Sequence, residues 1–367
     1  MLFVITPRKS VEDLRDLVKK VRDRGFPYEG REQKDRNWSL YDQAQINEIA
    51  EILETIRDIV DEASSRMEKR RKGPGRPAVP HSDVVKVMLM QAYFGMPNRV
   101  AQGFLRLFGE KLGIPTRFSY KTIERGYDPE RTKEVLDEVF RIVNERGNSL
   151  EKIFSTDGTG DPTSMKTNYE TRRREQREKK GNKSDEFPHS RGKHDFQYSV
   201  FSTGIHTKII AGFSSTDDHS VGELSHFPTI MAQTAELCPS IETMLGDALY
   251  ISRDACSLVD SYGVKPYFFP KRNVTFDAKG VPSWKMMLYD FVNNTQEWLR
   301  TYHMRSISES VNSMIKRKMP SKIRKRLPHR KRTEEYLKIN MHNLRQFNYL
   351  RHTNPELLKA QDKDQSR

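Results

Sequence analysis

Cysteine is nearly absent. Cys238 and Cys256 are the two in 367 residues, and both stand in apolar or helical contexts. A disulfide framework and a zinc site are thereby excluded, and a reducing interior is expected. Long apolar runs are missing too; none approaches the ~20 residues that a membrane span requires. The opening stretch, Met1 to Pro7, is too short for a signal-peptide core and continues into charge. Acid is in short supply, with 50 Asp+Glu against 64 Lys+Arg and a net charge of +14. Such an excess points to a polyanion partner, nucleic acid first. These absences describe a cytoplasmic protein, with no membrane partner, that works on DNA or RNA.

The length suffices for two or three domains with their own cores. Residues 10–24 and 40–71 carry helical periodicity, with Ile46, Ile49, Ile52, Leu53, Ile56 and Ile59 on one stripe of the second. Lys69-Arg70-Arg71-Lys72 and Gly73-Pro74-Gly75-Arg76-Pro77 then break the helix, as a linker more than as a minor-groove hook. A helical pair is predicted over 80–112, a helix capped by Ser119 over 119–126, and another over 130–146. Residues 1–72 are read as a helical N-terminal region. Residues 73–150 are read as a helical domain, either a helix-turn-helix DNA-binding unit or a packing domain.

From residue 151 the pattern alternates. Lys152–Asp157, Phe196–Thr203 and Thr207–Phe213 read as strands, with Gly204 near a turn. A helix over 221–237 follows, then an apolar run Ile241–Tyr250, a helix over 252–262 ending at Gly263, a strand Val264–Pro270, and one long helix through 285–319. This is the order of an α/β, ribonuclease H-like core: a mixed sheet with flanking helices, preceded here by an all-helical region. The catalytic domain is drawn at 151–350 and a polar tail at 351–367. Within it, 166–194 holds ten Lys/Arg and five Asp/Glu with almost no apolar residue. That composition is a solvated loop that would order on DNA.

Three carboxylates carry the chemistry. Asp157 ends an apolar run before Gly158-Thr159-Gly160, and Asp247 sits inside Thr243–Tyr250, where burial is costly without a partner or cation. Gly246 before it would let a ligand approach closely. Glu309 belongs to a stripe, Tyr302, Arg305, Glu309 and Lys316, whose steps of three, four and seven residues fall within a sector of about 60° on an α-helix. Met304, Ile307, Val311, Met314 and Ile315 would face the core. Read alone, Asp157 is an Asp-Gly turn, Asp247 a capping residue, and Arg305 with Glu309 an ordinary surface pair contributing about 0.2–0.5 kcal/mol. Read together, two Asp and one Glu form an oxygen-only donor set suited to Mg²⁺, with Mn²⁺ able to substitute. Two such ions about 4 Å apart clamp the attacking and leaving oxygens of a phosphodiester displacement.

Ser-Thr-Asp157-Gly-Thr, Leu-Gly-Asp247-Ala-Leu-Tyr and the Tyr302/Arg305/Glu309/Lys316 spacing resemble the DDE transposases of bacterial and archaeal insertion sequences, in the branch with the Tyr-Arg-Glu-Lys signature (insertion-sequence family four). The resemblance covers about residues 75–350. It implies a ribonuclease H-like fold in which Asp157, Asp247 and Glu309 hold two Mg²⁺ ions. It also implies that Tyr302, Arg305 and Lys316 contact the DNA backbone near the cut; Trp298 reads first as a buried core residue and second, by the resemblance, as one that stacks on a flipped base. The partners implied are double-stranded DNA, both terminal inverted repeats and target, and a second copy of the chain in the DNA complex, in a prokaryotic nucleoid. Asp218-His219-Ser220 resembles the family's His-Asp-Ser turn in altered order and receives no catalytic role. One departure is plain: only 61 residues separate Asp247 from Glu309, too few for the large β-rich insertion of the best-known members.

Behind the stripe, residues 316–332 hold ten Lys/Arg and no acid. Lys316, Arg317, Lys318, Lys322, Arg324, Lys325 and Arg326 are therefore expected to meet phosphates. The function implied is cutting DNA at transposon ends and joining them to target DNA. A non-catalytic DNA-binding protein, decayed or domesticated, and a nuclease of the same fold are the alternatives.

Overall fold

The computed structural model describes residues 10–31, 36–68, 78–163, 196–218, 220–320 and 322–358. The Gly73–Pro77 segment, the basic loop 166–194, His219 and residues 359–367 lie outside the described residues. Six helices come first: α1 Val11–Arg22, α2 Trp38–Arg66, α3 His81–Phe94, α4 Asn98–Phe108, α5 Tyr120–Gly126 and α6 Pro129–Gly147. Local chemistry sets their ends. Ser10 and Asp13 close a reciprocal capping box on α1, and the Asn37 side chain accepts the Leu40 amide on α2. Pro129 occupies the first turn of α6, and Gly95 ends α3 at φ 62°.

Then come β1 Ile153–Pro162, β2 Phe196–Gly204, β3 Ile210–Thr216, α7 Phe227–Leu237, β4 Thr243–Gly246, α8 Arg253–Ser261 and β5 Lys265–Phe268. Helices α9 Pro282–Asn293, α10 Thr295–Tyr302, α11 Ser306–Lys318 and α12 Pro328–Thr353 follow. The five strands form one mixed sheet in the order β3-β2-β1-β4-β5. β1 pairs antiparallel with β2 and parallel with β4, which is parallel to β5. The fold is thus mixed α/β with a helical N-terminal region.

Two cores flank the sheet. Neighbours Ile210 and Ala211 on β3 point to opposite faces and enter different cores. One core gathers α2, α3, α6, α11 and α12 around Phe201 and Ile210. The other gathers α1, α7, α8, α9 and α10 around Phe154, Met244 and Phe268. Helices α1 and α2, adjacent in sequence, thus join different cores. No helix among the described residues is long and apolar enough to cross a membrane.

Four local expectations change. The helix predicted through 285–319 is three helices, interrupted at Asn294 and by a 3₁₀ turn at His303–Arg305. Hydroxyls supply the reason: Thr295 Oγ1 donates to Phe291 O, Ser306 Oγ to His303 O and Ser308 Oγ to Arg305 O, competing with the α-helical ladder. β3 starts at Ile210, not Thr207, because Thr207 turns its amide to Glu151 and its hydroxyl to Asn148. The helix predicted over 221–237 starts at Phe227, with a separate 3₁₀ turn at Glu223–Ser225 and Pro228 in the first α-turn. Lastly, β1 does not stop at Asp157 but continues to Pro162. Gly158 and Gly160 admit the side chains of Tyr198 and Phe196 across the ladder.

Candidate active site

Asp157 stands mid-strand on β1 opposite Phe201, so no Asp-Gly turn forms there. Asp247 follows the last residue of β4, the strand parallel to β1 on its other side. Its Oδ1 accepts the Leu249 amide at 2.7 Å, a local turn that fixes the carboxylate at the sheet's C-terminal edge. Gly246 has a packing reason rather than a ligand one: the rings of Phe268 and Tyr250 fill the space a Cβ would take, at 2.9 and 3.0 Å. Glu309 comes from the first turn of α11.

Arg305 links them electrostatically: its guanidinium binds Glu309 Oε1 at 2.9 Å, and the charges of Asp157 and Asp247 act on it. Burial works against that cation, yet Tyr302 first, then Glu309, Asp157 and Asp247, hold its pKa above the usual arginine value. Asp157 responds in the opposite sense. Burial first, then the charge of Glu223, push its carboxyl up to about 6, against the lowering pull of Arg305. The stripe expected on one α-helix therefore converges across a 3₁₀ turn. Tyr302 ends α10, Arg305 sits in the turn, and Glu309 and Lys316 lie on α11.

The stripe's other members have protein partners. Arg305 lies over the Tyr302 ring at 5.9 Å, and Tyr302 stacks on Trp298 at 5.2 Å. Trp298 is 2% exposed, stacked also on Tyr267 at 5.5 Å. The indole belongs to the core, as the first of its two readings expects, packed among the rings of Tyr267, Phe269, Phe291 and Tyr302. Lys316 donates to Thr159 Oγ1 at 2.6 Å and Gly160 O at 3.1 Å, which ties α11 to β1.

The basic run is not one-signed in space. Lys318 is 3.7 Å from Glu48, Lys325 pairs with Glu124, and Arg324 donates to Gly95 O at 2.7 Å. Arg330 reaches both Glu124 and Asp128. Ile323 is buried and its amide bonds Pro162 O at 2.9 Å. Protein acids from α2, α5 and the residue capping α6 thus stand beside Lys318, Lys325 and Arg330. Arg317 and Arg326 remain exposed, as does Lys322.

Sequence reasoning missed two contributors. Asn312 Nδ2 donates to Asp157 Oδ2 at 2.8 Å; its spacing of three after Glu309 extends the stripe and was a usable signal. Glu223 had no such signal. It accepts the Tyr198 hydroxyl at 2.6 Å on one oxygen and the Tyr250 hydroxyl on the other, linking β2 to the turn that follows β4 and Asp247. Both phenols are held in their neutral form, with pKa values above the usual tyrosine value, by burial and by that carboxylate.

The donor set is all oxygen and carries more acid than Arg305 alone balances, which fits a hard divalent cation. Among the described residues no three acids stand as a ready-made cage, since Glu309 is turned to Arg305.

The chain matches no protein-family model. It is 28% identical over 279 residues to a probable transposase for the insertion sequence element ISA1214 of Archaeoglobus fulgidus, covering 76% of this chain and 78% of that protein.

Proposed function

We propose that this chain is a DDE-type transposase that cuts DNA at transposon ends and joins them to target DNA. The charges of Asp157, Asp247 and Glu309, carried by three separate elements, all act on Arg305, which contacts Glu309, and this supports the reading. The likeness to the Archaeoglobus protein supports it. So does the strand order β3-β2-β1-β4-β5, antiparallel then parallel, which suits a ribonuclease H-like core. The Tyr-Arg-Glu-Lys spacing favours the insertion-sequence-four type.

In this reading Asp157, Asp247 and Glu309 hold two Mg²⁺ or Mn²⁺ ions. Bound there, they would activate water or a 3′-hydroxyl and neutralise charge on the phosphorus. The chain's own residues do the positioning. Asn312 fixes one oxygen of Asp157, and Lys316 holds β1 against α11. Arg305 balances the carboxylates here; relieved of that role, its planar fork suits a phosphate oxygen. The active complex would be a dimer, one copy for each transposon end.

The test is a cleavage and strand-transfer assay on DNA flanking the gene, with and without Mg²⁺. Asp157→Asn should reduce cleavage to background while DNA binding persists. Metal-independent cleavage, or full activity in that variant, would falsify the reading. Cleavage without strand-transfer products would mark a nuclease instead, and a cleaving monomer on one end would exclude the dimer.

A further inference from the structure

A cavity of about 350 Å³ lies between the start of α2, the β2–β3 turn, the end of α11 and the middle of α12. Five cations line it, Arg36, Lys208, Arg317, Lys318 and Arg345, with a single acid among the described lining residues, Glu48. That acid is heavily engaged. It takes two hydrogen bonds from Arg345, at 2.8 and 3.0 Å, and one from the Tyr93 hydroxyl at 2.6 Å, with Lys318 3.7 Å away.

The remaining cations have no carboxylate among the described residues. Arg36 rests on the rings of Trp38 and Tyr41, each 5.2 Å from its guanidinium. Lys208 is half-buried, and its ammonium meets no hydrogen-bonding partner among the described residues. Burial, and then the charge of Arg36, lower its pKa. Its backbone is also unusual: φ is 58°, a left-handed conformation that asparagine or glycine adopts more easily. A lysine held there, beside another cation and without an acid, is an arrangement that a bound anion would stabilise. The cavity shares α11 with the candidate active site. Arg317 and Lys318 line the cavity, whereas Glu309, Asn312 and Lys316 belong to the β1 side, about 80° or more around the helix.

We propose that this cavity binds backbone phosphate of duplex DNA, as a second grip separate from the carboxylates. This rests on the transposase reading for the identity of the polyanion. Arg36, Lys208 and Arg317 hold the phosphates, and Arg345, locked by Glu48, forms the cavity's fixed wall.

The test is DNA affinity of the full chain against salt, from roughly 50 to 200 mM. The Arg36→Gln/Lys208→Gln/Arg317→Gln variant should flatten the plot of log affinity against log salt by about 0.9 for each phosphate no longer neutralised, equally for unrelated sequences. Lys265→Gln, which removes one charge at an exposed residue of β5, should leave the slope unchanged. A triple variant with wild-type slope overturns the proposal, as does an equal effect from Lys265→Gln or a wild-type protein that binds no duplex. Should Lys208→Gln disturb its turn, the Arg36→Gln/Arg317→Gln double, which alters two exposed side chains, decides by the same slope. Failure of the transposase reading looks different: DNA binds with the expected slopes, but no metal-dependent cleavage follows.

Discussion

Asn312 donates its amide to Asp157 Oδ2 at 2.8 Å, joining α11 to the centre of the sheet across 155 residues of chain. The bond holds one carboxylate oxygen and so fixes the direction in which the other points. On the proposed function, Asn312→Ala should lower cleavage about 10- to 100-fold, as loss of a residue that orients a metal ligand would. Its thermal midpoint should move little. Unchanged turnover in Mg²⁺ would remove Asn312 from the site.

Asp157 should oppose stability at neutral pH. Its folded pKa of about 6 lies above the ordinary carboxylate value of 3.8, so the fold favours the protonated form. Between those values the unfolded chain releases its proton first, and stability falls as pH rises through the window. Asp157→Asn should therefore stabilise the protein at pH 7, by on the order of 1 kcal/mol after allowing for solvent screening. The gain should vanish below pH ~4. Denaturant midpoints at the two pH values decide; a destabilised variant at pH 7 contradicts the environment described.

Gly158 has no room for a side chain. A Cβ there would collide with the Tyr198 hydroxyl and come within 2.8 Å of Glu223 Oε2. Gly158→Ala should cost about 1–3 kcal/mol through forced displacement of that pair. Adding Tyr198→Phe should recover part of the loss, a non-additivity measurable in a double-mutant cycle. Additive losses would mean that the strain lies elsewhere.

Lys338 is buried between Asp161 at 2.8 Å and Glu335 at 3.2 Å. Burial raises the Glu335 pKa, and the same cation pulls it down. Lys338→Met should destabilise by roughly 3–5 kcal/mol, because it leaves two acids without their buried cation. Urea unfolding measures it; a loss under about 1 kcal/mol would show that water replaces the ammonium.

Trp298→Phe tests a residue with two competing assignments. As a core residue it should reduce stability while leaving affinity for nicked or mispaired DNA unchanged. Loss of affinity at full stability would restore the stacking role.

The element order was readable from the sequence, because it depends on neighbours within one or two turns. The cap read at Ser119 precedes α5 but its side chain makes no capping bond, and Ile46 and Ile49 of the expected stripe on α2 are exposed. The helix breaks on either side of α10 escaped the periodicity, since Thr295, Ser306 and Ser308 keep helical spacing while redirecting backbone carbonyls. Asp157, Asp247 and Glu309 could be named as acids in suggestive contexts.

Only the tertiary structure decided who meets them. Glu223 beside Asp157, and Asn312 on its carboxylate, are long-range outcomes of packing the 3₁₀ turn before α7 and helix α11 against the sheet. The basic run shows the division most clearly. Its residues carry ten positive charges, but Glu48, Glu124 and Asp128 lie some 200 or more positions upstream of their cations and neutralise several of them. Charge is a property of each residue; whether it is balanced depends on distance in space.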